Sequence, residues 1–234
     1  MSAESHRIPV DEGDLESLSA MIDAPSGPPR SAVLLAHGAG ANMESAFLAG
    51  IAPRLATRGF FVLRFDYPYM ERKRRDGRRR PPDRAETLER VHARALAELA
   101  ALQPGRRWIS AGKSLGGRMA SRIAARGTDD GRTAGLVLLG YPLHPAGKPE
   151  KLRSEHFQAL AEPALFLQGT RDRLCDLALL DRELQRYGGR ATVSIVVGAD
   201  HDFAVPRKSG LARDDVLDDL AGRIDDWERA TFPD

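Results

Sequence analysis

Ser114, Asp172 and His201 lie far apart in the sequence, yet they are the three residue types that together turn a hydroxyl into a nucleophile. A serine hydroxyl is weakly nucleophilic at neutral pH, so it needs a base and must be lifted clear of its surroundings. Ser114 stands in Gly112-Lys113-Ser114-Leu115-Gly116, a G-x-S-x-G pattern followed by Gly117. On a sharp strand-to-helix turn such a serine takes a positive φ. A side chain two residues before or after it would then strike the crossing chain, which is why glycine is needed at both places. The pattern alone is common, and its setting carries the weight: Arg107 to Ala111 reads as a buried strand and Leu115 to Ala125 as an amphipathic helix.

Asp172 ends Gly169-Thr170-Arg171-Asp172, and His201 lies in Gly198-Ala199-Asp200-His201-Asp202-Phe203. Each follows an apolar run, and in open α/β sheets ligand sites form at the carboxyl ends of the strands. The chemistry expected is proton transfer from Ser114 to His201, with Asp172 holding the imidazole in the right tautomer. Asp172 has a plainer reading as a helix cap. Asp176, Asp181, Asp200 and Asp202 are rival carboxylates, the last two awkward because they adjoin the histidine. An oxyanion formed at Ser114 needs backbone donors. Leu115 N–H is one, and His37-Gly38-Ala39-Gly40 should supply the other, from Ala39 with Gly40 as competitor. His37, Tyr67, Tyr69, Tyr141 and His144 are candidates to line a substrate pocket, although packing beneath the glycine turn is preferred for His37. Lys113 is expected to point away from the pocket, and Cys175 reads as a core thiol.

The elements that must position these residues follow from periodicity. Ile8 to Val10 and Leu15 to Ile22 suggest two strands joined as a hairpin, and Ala32 to Ala36 a strand covered on both faces. Asn42 could cap a helix with Phe47, Ile51 and Leu55 on one face, in which Pro53 predicts a kink or a late start. A strand over Phe60 to Phe65 follows. Asp83 and Glu86 make a capping-box pattern before a helix marked by Leu88, Val91, Ala95, Leu99 and Leu102. After a turn at Gly127 to Gly131 come strands at Gly135 to Leu139, Ala164 to Gln168 and Ala191 to Val197. A helix is expected over Leu174 to Tyr187, and a closing helix carries Val216, Leu220, Ile224 and Trp227. Alternating strands and helices predict an α/β fold: a mostly parallel central sheet with helices on both faces. Residues 141–163 leave room for a short flap with at most one short helix, and not for a large cap domain.

The 234 residues are 42% hydrophobic, enough for one sizeable domain spanning 1–234. Lys and Arg number 35 against 33 Asp and Glu, and a net charge of +2 gives no reason to expect nucleic-acid or membrane partners. A single cysteine excludes an internal disulfide and the opening residues carry no apolar leader, so a cytoplasmic address is expected. Positive charge is concentrated in residues 71–84, which read as a long exposed basic loop containing Arg72, Lys73, Arg74, Arg75, Arg78, Arg79 and Arg80. Such a run is usually a solvated surface. With Lys148, Lys151 and Arg153 it is also placed to attract an anionic substrate or an acidic partner.

Taken together, Leu34 to Met43, Arg64 to Met70, Arg78 to Arg84, Gly112 to Ser121, Gly140 to Arg153, Gln168 to Asp172 and Gly198 to Phe203 resemble the α/β-hydrolase superfamily. More narrowly, they resemble its dienelactone-hydrolase-like members grouped with the testis-expressed-30 and KANSL3-like hydrolase domains. The resemblance implies hydrolysis of an ester, thioester or amide bond in a small acyl substrate, with no metal and no cofactor. Dienelactone hydrolases proper carry cysteine where this chain has Ser114, so lactone chemistry is not carried over. Two other functions fit the same residues: a non-catalytic interaction module that keeps the fold, and transfer of the acyl group to an acceptor other than water.

Overall fold

A computed structural model describes residues 3–127 and 132–233. Eight strands form one open sheet: β1 (Glu4–Glu12), β2 (Leu15–Asp23), β3 (Ser31–Ala36), β4 (Phe60–Phe65), β5 (Arg107–Lys113), β6 (Gly135–Leu139), β7 (Ala164–Gly169) and β8 (Ala191–Val196). Their order across the sheet is β1-β2-β4-β3-β5-β6-β7-β8. The β1–β2 hairpin and the β2–β4 pair are antiparallel, and every other pair is parallel. Among the described residues six helices cover the faces: α1 (Ala46–Thr57), α2 (Pro68–Asp76), α3 (Ala85–Leu102), α4 (Leu115–Ala124), α5 (Leu177–Leu184) and α6 (Arg213–Thr231). No separate cap domain interrupts them among the described residues.

The continuous apolar runs of β3, β4, β6 and β7 have every residue buried, as a sheet covered on both sides requires. Alternate side chains then go to opposite cores. Val33, Leu35, Ile109, Val137 and Leu165 pack with Leu48, Ile51 and Leu55 of α1 and with Leu220 and Ile224 of α6. On the other face Ala32, Leu34 and Leu63 meet Val91, Ala95 and Leu99 of α3, while Leu136 and Leu138 meet Ala120 and Ala124 of α4 and Leu180 of α5.

Several local expectations are corrected. The helix meant to follow an Asn42 cap begins later, at Ala46 with Ser45 as N-cap, and it runs on through Pro53. The Leu174–Tyr187 helix is shorter, starting at Leu177, where Asp176 caps it by accepting the N–H groups of Ala178 and Leu179 at 2.9 and 3.0 Å. The turn expected at Gly127 to Gly131 falls mostly outside the described residues. The flap region holds one 3-10 turn, Phe157–Ala159.

The largest correction concerns the basic segment, whose first part is helix α2 rather than a loop. Pro68 starts it at a position that needs no backbone donor, and Gly77 ends it at φ +73°. Asp83, expected to cap α3, instead accepts the Tyr69 N–H at 2.9 Å and so caps α2, whereas α3 begins after Arg84 with no side-chain cap. Most of the arginines are engaged. Arg72 binds Asp14 and Asp83, Arg75 binds Asp14, Arg74 binds Asp66 and Glu44, and Arg80 binds Asp76.

At the end of the sheet opposite these loops, Glu228 of α6 is fully buried and accepts from Ser31 Oγ at 2.5 Å, Arg30 Nε at 2.7 Å and Arg107 at 2.7 Å. One carboxylate thus pins the last helix to the starts of β3 and β5. Replacing it leaves part-buried Arg107 without its carboxylate and takes one of two from Arg30, which keeps Asp225. Glu228→Ala is expected to lower stability by about 3–5 kcal/mol, read as a drop in the urea midpoint at unchanged slope.

Candidate active site

The three chemistry-bearing side chains meet at the carboxyl edge of the sheet. Ser114 joins β5 to α4 with φ +51°, a value that non-glycine residues seldom adopt. The turn is possible only because neighbouring backbones touch. A Cβ on Gly112 would lie 2.3 Å from the Gly116 carbonyl carbon, one on Gly116 would lie 2.5 Å from the Ala36 oxygen, and one on Gly117 would lie 2.7 Å from the Gly112 oxygen.

His201 Nε2 is 2.9 Å from Ser114 Oγ, and its Nδ1 is 2.8 Å from Asp172 Oδ2. An ionised carboxylate only accepts, so Nδ1–H donates to Asp172 and Nε2 is left to accept the serine O–H. Asp172 is 7% exposed and fully satisfied: Oδ1 accepts the Leu174 N–H at 2.8 Å, and Oδ2 also accepts Gln168 Nε2–H at 2.6 Å. Gln168 in turn accepts the Tyr141 N–H at 2.9 Å, which makes it an orienting residue that sequence reasoning missed. Its one signal was a polar side chain ending the apolar strand β7.

The rival carboxylates have other work. Asp200 folds its own loop, accepting the N–H groups of Asp202 and Ala204 at 2.9 Å. Asp176 caps α5, and Asp181 lies exposed on that helix.

Leu115 N–H opens α4 and Ala39 N–H lies in the glycine turn, and neither donates to a protein acceptor among the described residues. Gly40, the competitor, sits at φ +76°. The turn is fastened from below. His37 is fully buried, donates from Nδ1 to Gly38 O at 2.8 Å and accepts the Tyr67 N–H at 3.1 Å on Nε2. Burial pushes its pKa down and keeps it neutral, as that acceptor role demands. Asp66 accepts the Met43 N–H at 2.7 Å, and Arg64, paired with Asp23, donates to Met43 O at 2.7 Å.

Four of the pocket candidates serve packing. Tyr67 points into the core, where its hydroxyl meets His92 Nδ1 at 2.9 Å while His92 Nε2 meets Ser110 Oγ at 2.8 Å. The Tyr69 hydroxyl lies 3.4 Å from Gly38 O, beneath the glycine turn. Tyr141 is fully buried and donates to Arg153 O at 2.6 Å. His144 accepts the Asp176 N–H at 3.0 Å and so secures the Asp172 loop rather than a ligand.

Lys113 departs from expectation in the opposite direction. It lines the cleft at Ser114, a hollow of about 160 Å³ bounded also by Gly38, Ala39, Ser45, Phe47, Leu48, His201 and Asp202. Burial lowers its pKa from 10.5 to about 8, partly offset by Asp202, Asp172 and Asp200. Cys175 is buried, and burial with the nearby Asp172 and Asp176 charges holds its thiol protonated. A larger hollow of about 480 Å³ lies between α3 and α4 and touches none of these side chains, so the relay and not cavity size locates the chemistry. Among the described residues no group of three or more His, Cys, Asp or Glu is placed to hold a metal ion, and no helix is long and apolar enough to cross a membrane.

An open, mostly parallel sheet carrying a strained serine at the end of a central strand defines the α/β-hydrolase class. The chain belongs to the alpha/beta hydrolase domain family, matched over residues 29–229. Solved structures agree in fold. A dienelactone hydrolase from Anabaena variabilis superposes with TM-score 0.76 at 21% identity, covering 97% of this chain and 98% of that one. An alpha-beta serine hydrolase homologue from Coxiella burnetii gives 0.73 at 20% identity, covering 96% and 98%. Thermogutta terrifontis esterase 2, phosphoramylated by tabun, gives 0.71 at 18% identity, covering 97% and 94%.

The Gly116 contact is with backbone, which cannot move aside as a side chain would. Gly116→Ala is expected to cost at least about 1–3 kcal/mol by overpacking, seen as a lower melting temperature or a reduced folded yield.

Proposed function

We propose that this protein is a serine hydrolase, of esterase type foremost, that cleaves a small acyl substrate through an acyl-enzyme within one catalytic domain. The observation that carries the reading is the unbroken relay from Asp172 through His201 to Ser114, with bonds of 2.8 and 2.9 Å, beside a cleft with two free backbone donors. Ser114 Oγ attacks the acyl carbon while His201 Nε2 takes its proton. The carbonyl oxygen, now an anion, accepts from Leu115 N–H and Ala39 N–H. When the tetrahedral species collapses, the imidazolium protonates the departing alcohol, thiol or amine, and water repeats the sequence to free the acid and restore Ser114. Asp172 stabilises the imidazolium and fixes its tautomer.

The cleft of about 160 Å³ has room for roughly five water-sized groups, which favours a short acyl chain. An anionic substrate is favoured by a second hollow of about 330 Å³ on the other side of Gly40, lined by Met70, Lys73, Arg79 and Arg80. Lys73 and Arg79 have no carboxylate partner among the described residues. The likeness of Arg78 to Arg84 and Gly112 to Ser121 to the testis-expressed-30 and KANSL3-like proteins supports placing the chain beside them, and the single buried thiol suits a cytoplasmic setting.

A fluorophosphonate probe tests the central claim. It should label the parent at Ser114 and leave Ser114→Ala and His201→Ala unlabelled, while Asp172→Asn should lower kcat by about 10⁴ with the fold retained. A folded parent that takes no label would favour the interaction module, and product diverted to added alcohols would favour acyl transfer. For the substrate class, kcat/KM on an acidic ester should fall with added salt and fall again in Lys73→Gln/Arg79→Gln, with a neutral isostere unaffected.

A further inference from the structure

Desolvating an ammonium is costly, yet Lys113 is only 6% exposed and the acyl-transfer steps give it no task. It immediately precedes Ser114, and its Nζ lies 3.7 Å from Oδ1 of Asp202, the residue immediately after His201. The Ser114–His201 hydrogen bond is therefore flanked by a second, charged link between the same two loops. Nζ also lies 6.0 Å from the Phe203 ring, whose backbone is held at φ +57°. Gly140, at φ +61°, lies beside both groups: a Cβ there would stand 3.3 Å from the His201 carbonyl oxygen and in ordinary contact, at 3.5 Å, with Nζ. The charges facing the ammonium are Asp202, Asp200 and Asp172, with the His201 ring alongside, and from α6 Arg213 donates to the Asp202 carbonyl at 2.6 Å.

We infer that Lys113 is a positioning residue for His201: its ammonium tethers Asp202 and so fixes the loop that carries the imidazole. The lowered lysine titration, near pH 8, agrees with the placement, since the tether is charged at neutral pH and released under mild alkali. The sign of its effect on folding is informative. The unfolded chain binds the lysine proton up to pH 10.5 while the folded chain gives it up near 8, so stability rises with pH between those values and the charged side chain opposes folding at pH 7. A residue kept for packing alone would be improved by losing that charge without consequence for the site.

The effect on turnover rests on the hydrolase reading, whereas the effect on the imidazole does not. The test compares parent, Lys113→Met, Asp202→Asn and the double variant. Asp202 is 83% exposed, so its replacement leaves the core untouched. At pH 7 Lys113→Met should melt higher than the parent, because a desolvated charge is gone, and its His201 ring protons, followed by NMR, should broaden or split as the untethered loop takes up more than one position. On a short activated ester kcat should fall about tenfold with KM little changed, and the double variant should be no slower than Lys113→Met, since both substitutions cut one link. His201 ring signals as sharp in Lys113→Met as in the parent, or losses that multiply in the double variant, would overturn the tether. A parent that neither labels nor hydrolyses overturns the hydrolase reading instead, and the NMR signals of the ring still decide the role of Lys113.

Discussion

Everything at the carboxyl edge depends on how closely α4 crosses the backbone of the sheet. Gly116 rests against Ala36, the last residue of β3, and Ala36 is followed at once by the turn that begins at His37. The contact that forbids a side chain at Gly116 therefore also sets how closely the start of α4 lies against the end of β3. Segments some 75 residues apart are held together there by a steric limit and not by a bond between them. Such a limit is rigid, since backbone cannot move aside as a side chain would.

Around that crossing the loops are fixed by hydrogen-bonded buried polar groups. Asp66 and Arg64 hold the chain after the glycine turn, Gln168 connects the Asp172 carboxylate to the backbone of the flap, and His144 secures the start of α5. Lys113 is the exception. Its lowered titration corresponds to a folding cost on the order of 3 kcal/mol at neutral pH. An expense of that size beside a hydrogen-bonded serine and histidine is the kind of local conflict that sites accept and cores do not.

The strands were legible because a sheet buried on both faces writes itself as unbroken apolar runs, and β3, β4, β6 and β7 fall within a residue or so of those runs. The glycines around Ser114 were legible because their need is steric and local. Helix α2 was not, since its sequence is mostly charge and its stability comes in part from Asp14, far off in the chain, and Asp83, across a loop, with Asp66 just before it. The tyrosines show a different limit. Position at a strand end does not say which way a ring turns, and Tyr67 turns toward His92 of α3 while Tyr141 turns toward Arg153. Lys113 failed for the same reason, because the turn at Ser114 directs the preceding side chain along the sheet face toward Phe203 instead of into solvent.

Cys175 sits one turn beyond Asp172, where burial, with the nearby charges of Asp172 and Asp176, keeps its sulfur in the unreactive protonated form. Thiols are ordinarily the first groups that electrophiles and peroxides find in a protein. Here that route is closed, so an electrophile that enters the cleft meets Ser114, His201 and Lys113 and no sulfur. Modification of the chain by such agents is then decided by oxygen and nitrogen groups, with no reducing agent needed to protect a thiol.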